Sequence, residues 1–117
     1  IYHYTGMSSE SKAINRLINV RSEVSCHYFI KRNGKILTLV PDQYISWHAG
    51  ISFWGNYKSL NKNSVGIEIS NPGHIYGYRK FSKKQINSPL DSITILFLEN
   101  DAPLFLVFTT SFKFLKY

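Results

Sequence analysis

The dipeptide Asn33-Gly34 stands between CHYFIKR (26–32) and KILTLV (35–40), two runs dominated by β-branched, aromatic and aliphatic residues. Asn and Gly reach positive φ at little cost, so this pair between strand-like runs is the strongest short-range signal for a β-hairpin. Two adjacent antiparallel strands are thereby fixed in the first half of the chain, and everything else must be arranged around them. Ahead of the hairpin, IYHYT (1–5) reads as a strand. SSESKAINRLINV (8–20) reads as a helix with Ser8 or Ser9 as N-cap and Ala13, Ile14, Leu17 and Ile18 as its apolar stripe. Behind the hairpin, residues 41–63 are rich in Gly, Asn, Ser and aromatics without periodicity, which predicts a long loop of the kind compact domains usually keep for function. SVGIEIS (64–70) then reads as a strand, and FSKKQI (81–86) restarts a helix with Ser82 and Gln85 at capping-box spacing before Pro89 breaks it. Strand, helix, hairpin, loop, strand, helix is the order of a mixed α/β domain with one central sheet flanked by helices.

The formal net charge of +7 calls for an anionic partner: nucleic acid, an acidic membrane surface or a polyanionic polymer such as bacterial cell wall. The cations do not form a stripe. Their densest groupings are Lys83-Lys84 and Lys31-Arg32, which speaks against nucleic acid. Cys26 is the only cysteine, so an internal disulfide and a four-cysteine zinc site are both excluded, and a small buried apolar residue is expected there. ITILFL and LFLVF are separated by Glu99, Asn100, Asp101 and Pro103, and neither reaches the roughly 20 apolar residues of a membrane span. The chain starts at Ile1 without an initiator Met, so a preceding segment carrying any targeting signal is expected to lie outside it.

Glu68 is the one carboxylate in SVGIEIS. In an extended chain Val65, Ile67 and Ile69 share one face, and Ser64, Gly66, Glu68 and Ser70 share the other. A bare face around a single Glu suits the floor of a cleft; the same alternation also describes an outward Glu on a half-solvated strand. Histidines occur at 3, 27, 48 and 74. His3 alternates with Tyr2 and Tyr4 on the first strand, and His48 lies in SWHAG among loop aromatics suited to lining a sugar or peptide pocket. His27 reads as structural or supporting and His74 as a solvated turn residue. No pair has a compact metal-ligand spacing.

Taken in order, IYHYTG, VSCHYFIKRNGKILTLVPDQYISWHAGIS (24–52) and NKNSVGIEISNPG (61–73) resemble the zinc-dependent N-acetylmuramoyl-L-alanine amidases, the family that includes phage amidase lysozymes and peptidoglycan recognition proteins. The resemblance covers residues 1 to about 86 and implies a mixed sheet with zinc over one face. It makes His3 a zinc ligand and Glu68 the general base. Trp47 and His48 would wall the substrate pocket, and Asn61 would shape the turn into the Glu strand. The implied reaction is zinc-activated hydrolysis of the bond between the lactyl group of N-acetylmuramic acid and the L-alanine of the stem peptide. Peptidoglycan or muropeptide is the implied partner, in the bacterial envelope, periplasm or cytoplasm.

A catalytic zinc takes about three protein ligands, and the family draws its others from a GHSDIAPGRKxDPG-like phrase after the Glu strand. This chain has no such phrase: no histidine follows Gln85, and the late acids are Asp91, Glu99 and Asp101. His3 is therefore the single matched ligand. The expected division is an amidase-like domain over 1–86 and a divergent apolar tail over 87–117. Two readings follow, a peptidoglycan amidase and a non-catalytic peptidoglycan-binding remnant without a complete zinc site.

Overall fold

A computed structural model describes residues 1–87. The tail anticipated beyond that point, including the helix break at Pro89, lies outside the described residues. The sheet has four strands: β1 (Tyr2–Tyr4), β2 (Tyr28–Ile30), β3 (Ile36–Thr38) and a strand at Ile67–Ile69, in the spatial order β1, Ile67–Ile69, β2, β3. The hairpin forms as expected, with Tyr28 opposite Thr38 and Ile30 opposite Ile36. Its turn is not a two-residue Asn-Gly turn. The Gly34 N–H donates to the Lys31 carbonyl and the Lys31 N–H to the Lys35 carbonyl, both at 2.9 Å, so residues 32–34 form the loop with Gly34 at φ +86°. Gly34 supplies the left-handed residue that follows the turn, and Asn33 instead accepts from the Lys35 N–H through its side chain.

The first helix, α1 (Glu10–Ile18), starts at Ser9, whose Oγ accepts the Lys12 N–H at 3.2 Å. Ala13 and Leu17 are buried against Val24, Cys26 and Phe29, with Ile14 at the edge. Ile18, expected in the apolar stripe, is exposed: the helix ends there and the chain turns away through a 3₁₀ turn at Val20–Ser22. Cys26 is fully buried as anticipated.

The loop 41–63 is more ordered than its composition suggests. It carries a two-stranded ribbon, β4 (Phe53–Trp54) and β5 (Tyr57–Lys58), turned at Gly55 with φ +55°, and a 3₁₀ turn at Leu60–Lys62. With two residues per strand there is no periodicity to read. The Ser59 N–H donates to the Ser52 carbonyl and the Leu60 N–H to Ser52 Oγ, closing the base of the ribbon. Beyond it, β6 (Ile67–Ile69) enters the middle of the sheet, parallel to both β1 and β2. At residues 83–87 a helical segment begins with the anticipated capping box: Gln85 N–H donates to Ser82 Oγ at 3.1 Å and Ser82 N–H to Gln85 Oε1 at 3.0 Å. Gln85 Nε2 also donates to the Ser70 carbonyl, anchoring this segment to the end of β6.

Candidate active site

Parallel strands hold residues in register on a common face, and β6 places Glu68 beside His3 on one side and Phe29 on the other. Glu68 thus faces the side covered by α1, not solvent, and is only 1% exposed. Neither carboxylate oxygen has a hydrogen-bond partner among the described residues. Burial without compensation disfavours the anion and pushes the carboxyl up to about 8. A cavity of about 140 Å³ opens against it, lined also by Thr5, Gly6, Met7, Arg16 and Leu17.

The bare face around Glu68 has a specific use. The His48 ring lies directly on Gly66: a Cβ there would come within 2.6 Å of both Cβ and Cδ2 of His48, and closer to Cγ. Asn61 fixes the loop in this position, its Oδ1 accepting from the N–H groups of His48 (3.0 Å) and Ala49 (2.7 Å). His48 Nε2 lies 3.4 Å from the Ser64 carbonyl and 3.3 Å from Ser64 Oγ. A carbonyl can only accept, so in the neutral ring Nε2 carries the proton and Nδ1 presents a lone pair. That lone pair faces His3 Nε2 at 3.3 Å. Burial lowers His3 to about 4; burial, with His3 adding, lowers His48 to about 3, and both rings are neutral at pH 7.

His27 supports this arrangement from behind. Its Nδ1 accepts from the Gly66 N–H (3.0 Å) and lies 2.7 Å from Ser46 Oγ, which leaves Nε2 to donate to the Tyr44 carbonyl (3.0 Å). One buried ring therefore ties the loop before His48 to the strand that carries Glu68. His74, in contrast, is exposed and stacks on Tyr78.

Two imidazole nitrogens bound to one tetrahedral zinc, each about 2.0–2.1 Å from it, stand roughly 3.3 Å apart. His3 Nε2 and His48 Nδ1 have that spacing and are uncharged, and an unpaired buried carboxylate stands nearby, so the donor chemistry suits zinc. Among the described residues no cluster of three His, Cys, Asp or Glu able to hold a metal is present.

Of the sequence-expected residues, His3, His48 and Glu68 therefore share one face of the sheet. Trp47, half exposed between the buried Ser46 and His48, lines a second cavity together with Asn61. Gly66 and Ser46 were not singled out by sequence: the small-residue face of SVGIEIS reads as the open floor of a cleft, whereas over Gly66 the space is taken by the His48 ring.

A mixed sheet presenting an in-register His and Glu beneath a His-bearing loop is an amidase-type α/β domain. The chain belongs to the N-acetylmuramoyl-L-alanine amidase family, which matches residues 1–97. It is similar to the N-acetylmuramoyl-L-alanine amidase AmiD of Escherichia coli (strain K12), 39% identical over 80 residues that cover 62% of this chain and 28% of AmiD. It is also similar to the 1,6-anhydro-N-acetylmuramyl-L-alanine amidase AmpD of Citrobacter freundii, 41% identical over 46 residues, 39% of this chain and 25% of AmpD. The solved structure of E. coli AmiD with the substrate anhydro-N-acetylmuramic acid-L-Ala-D-gamma-Glu-L-Lys matches with TM-score 0.74 at 29% identity, over 87% of this chain and 43% of that one. AMPDH3 of Pseudomonas aeruginosa, solved with anhydromuramic pentapeptide, shares the fold with TM-score 0.75 at 24% identity, over 84% of this chain and 44% of that one. The chain spans about a quarter of the length of these curated relatives.

Proposed function

We propose that this domain hydrolyses the amide between the lactyl group of N-acetylmuramic acid and the L-alanine of the stem peptide, in peptidoglycan or in muropeptides released from it. The observation that carries the reading is the buried carboxylate of Glu68, without a hydrogen-bond partner among the described residues and held in register beside His3. Zinc, when held by His3 and His48 with completing ligands from outside the described residues, would supply the Lewis acidity that activates water and polarises the amide carbonyl. Burial raises the proton affinity of Glu68, and the positive charge of the zinc beside it would favour its ionised form, which accepts the proton of the attacking water on a carboxylate oxygen and returns it to the departing amine. His27 and Asn61 hold the His48 loop in place. The stem peptide carries carboxylates, which agrees with the net charge of +7.

Glu68→Gln keeps the shape of the side chain and removes the base. Folding and zinc affinity should persist while turnover of muropeptide falls by roughly 10²- to 10⁴-fold. Near-normal turnover would remove Glu68 from the reaction. The second reading, a peptidoglycan-binding domain without catalysis, is favoured by the absence of a third ligand among the described residues. Zinc analysis of the purified chain separates the two: stoichiometric metal supports the hydrolase, and its lack after zinc addition supports the binding domain.

A further inference from the structure

The chain that leaves β6 is built around one side chain. Asn71, only 1% exposed, accepts the Gly73 N–H at Oδ1 (3.0 Å) and donates from Nδ2 to the Arg79 carbonyl, so both ends of the intervening turn hang on a single amide. Thr5 fixes the backbone of Asn71 in its turn, its Oγ1 donating to the Asn71 carbonyl and accepting the Asn71 N–H. Between these ties lies a 3₁₀ turn at His74–Tyr76, flanked by Gly73 at φ +70° and Gly77 at φ +81°. Every residue from His74 to Lys80 is exposed. Ile75, in the middle of the turn, is 88% accessible, with Tyr76 and Tyr78 exposed beside it. His74 stacks on Tyr78 with ring centroids 5.2 Å apart, and Tyr78 meets Phe81 edge-on at 6.2 Å, so the rings are ordered. A fixed turn that holds contiguous apolar side chains in water forgoes the burial that drives folding, and such exposure marks a contact surface.

The charge around this turn has one sign. No acidic residue occurs between Glu68 and Asp91, whereas Arg79, Lys80, Lys83 and Lys84 all fall in that stretch. All four are exposed, and none takes part in an ion pair among the described residues. The hairpin turn brings a further cation to them: Arg32 Nη2 donates to the Lys80 carbonyl at 3.2 Å, and a Cβ on Gly34 would stand 2.7 Å from the Lys84 carbonyl. Anionic lipid matches both halves of this surface. The boundary between headgroups and acyl chains takes Ile and Tyr side chains, Tyr with its ring in the apolar layer and its hydroxyl wet, and lipid phosphates take Arg and Lys. A polyanion dissolved in water would leave Ile75 exposed, and a second copy of the same face would set these cations against their like.

We propose that residues 74–84 form a docking surface for an anionic membrane, into whose headgroup layer Ile75 and Tyr76 dip while Arg79, Lys80, Lys83 and Lys84 contact lipid phosphates. The inference does not depend on the amidase reading. Gly73 packs against β1 and the turn after it: a Cβ there would stand 3.0 Å from the Tyr4 ring and 3.1 Å from Gly6 Cα, and Gly6 lines the cavity over Glu68. Docking therefore holds the rim of that cavity near the lipid surface.

The test is co-sedimentation of the full chain with vesicles of phosphatidylcholine alone or of phosphatidylcholine mixed with phosphatidylglycerol. The mixed vesicles should bind the protein and the neutral ones should not. Ile75→Ser with Tyr76→Ser, and separately Arg79→Glu with Lys80→Glu, should each weaken that binding about tenfold or more. Lys12→Glu with Arg21→Glu makes the same change in net charge on α1 and the turn after it, and should leave binding within about threefold of wild type. These side chains are all exposed, and circular dichroism with a urea melt establishes that each variant is folded; Ile75→Ser alone replaces a double variant that is not. Failure of wild type to bind the mixed vesicles would overturn the proposal. Equal loss in the Lys12 and Arg21 variant would overturn it too, since net charge alone would then be at work, as would full binding by the Ile75 and Tyr76 variant, whose turn would then stay in water. Single-stranded DNA bound through this surface in place of vesicles, or a wild-type dimer that the Ile75 and Tyr76 variant dissolves, would identify a different occupant and sink it as well.

Discussion

Gly66→Ala adds a single methyl group at the point where strand and loop meet most closely, and its cost can be worked out from the contacts. The new carbon would stand 2.6 Å from two atoms of His48 and nearer to a third, so the ring must retreat by considerably more than about 1 Å to reach ordinary contact. It has little room: His48 is buried, its backbone is held by Asn61, and the rings of His3 and His27 stand 5.5 and 5.9 Å away. Overpacking of this kind, with loss of the weak Ser64 and His3 contacts, should cost about 2–4 kcal/mol. Gly66 does not have positive φ, so the penalty is steric. Gly50 provides the contrast, with φ +56° and open space around its would-be Cβ; Gly50→Ala should cost only the roughly 1–2 kcal/mol of left-handed backbone. Urea denaturation of Gly66→Ala, His48→Ala and the double variant closes the cycle. If the ring is the obstacle, the double variant will be at least about 1 kcal/mol more stable than the sum of the singles. Strict additivity, or a Gly66→Ala protein as stable as wild type, would refute the placement of His48 on Gly66.

Two other outcomes are expected. In zinc-free protein the folded-state pKa of Glu68, about 8, lies above the ordinary 4.5, so the folded chain holds a proton that the unfolded chain releases; the stability of wild type relative to Glu68→Gln should be greatest below pH 4.5 and fall as pH rises through 8, and a flat difference across that window would show that Glu68 is solvated. His27→Phe leaves the Ser46 hydroxyl, the Gly66 N–H and the Tyr44 carbonyl without their partner, which should lower stability by about 3 kcal/mol or more in thermal or urea melts, and a loss under 1 kcal/mol would mean that the ring merely fills space.

Much of the site was legible because its residues carry local signals. The alternation in SVGIEIS separates Glu68 from Ile67 and Ile69 whatever the tertiary structure, and Ser82 with Gln85 specifies its cap within one turn. Hidden from sequence were relations that only the assembled sheet creates: Glu68 beneath α1, His48 seated on Gly66, and a half-exposed Trp47 next to a buried His48. The β4–β5 ribbon escaped because two residues per strand cannot show a period, and Ile18 misled because helical periodicity does not report where the chain turns away. The turn after Lys31 shows the same division: Asn33-Gly34 announced a hairpin, while the three-residue geometry was settled by which residue took the left-handed position.

The position of β6 between β1 and β2 also dictates an order of assembly. The β2–β3 hairpin needs only neighbouring residues and can form in microseconds, whereas β1 has its sheet partner some 65 positions away at Ile67–Ile69. Among the described residues β1 pairs only with β6, so His3 and Glu68 meet in a late and entropically costly closure. Substitutions in the hairpin should therefore slow refolding, and those at the β1–β6 seam should mainly hasten unfolding. During partial unfolding the face that holds His3 and Glu68 would come apart first, leaving a hairpin that still looks native to circular dichroism while the acid and the imidazole no longer meet.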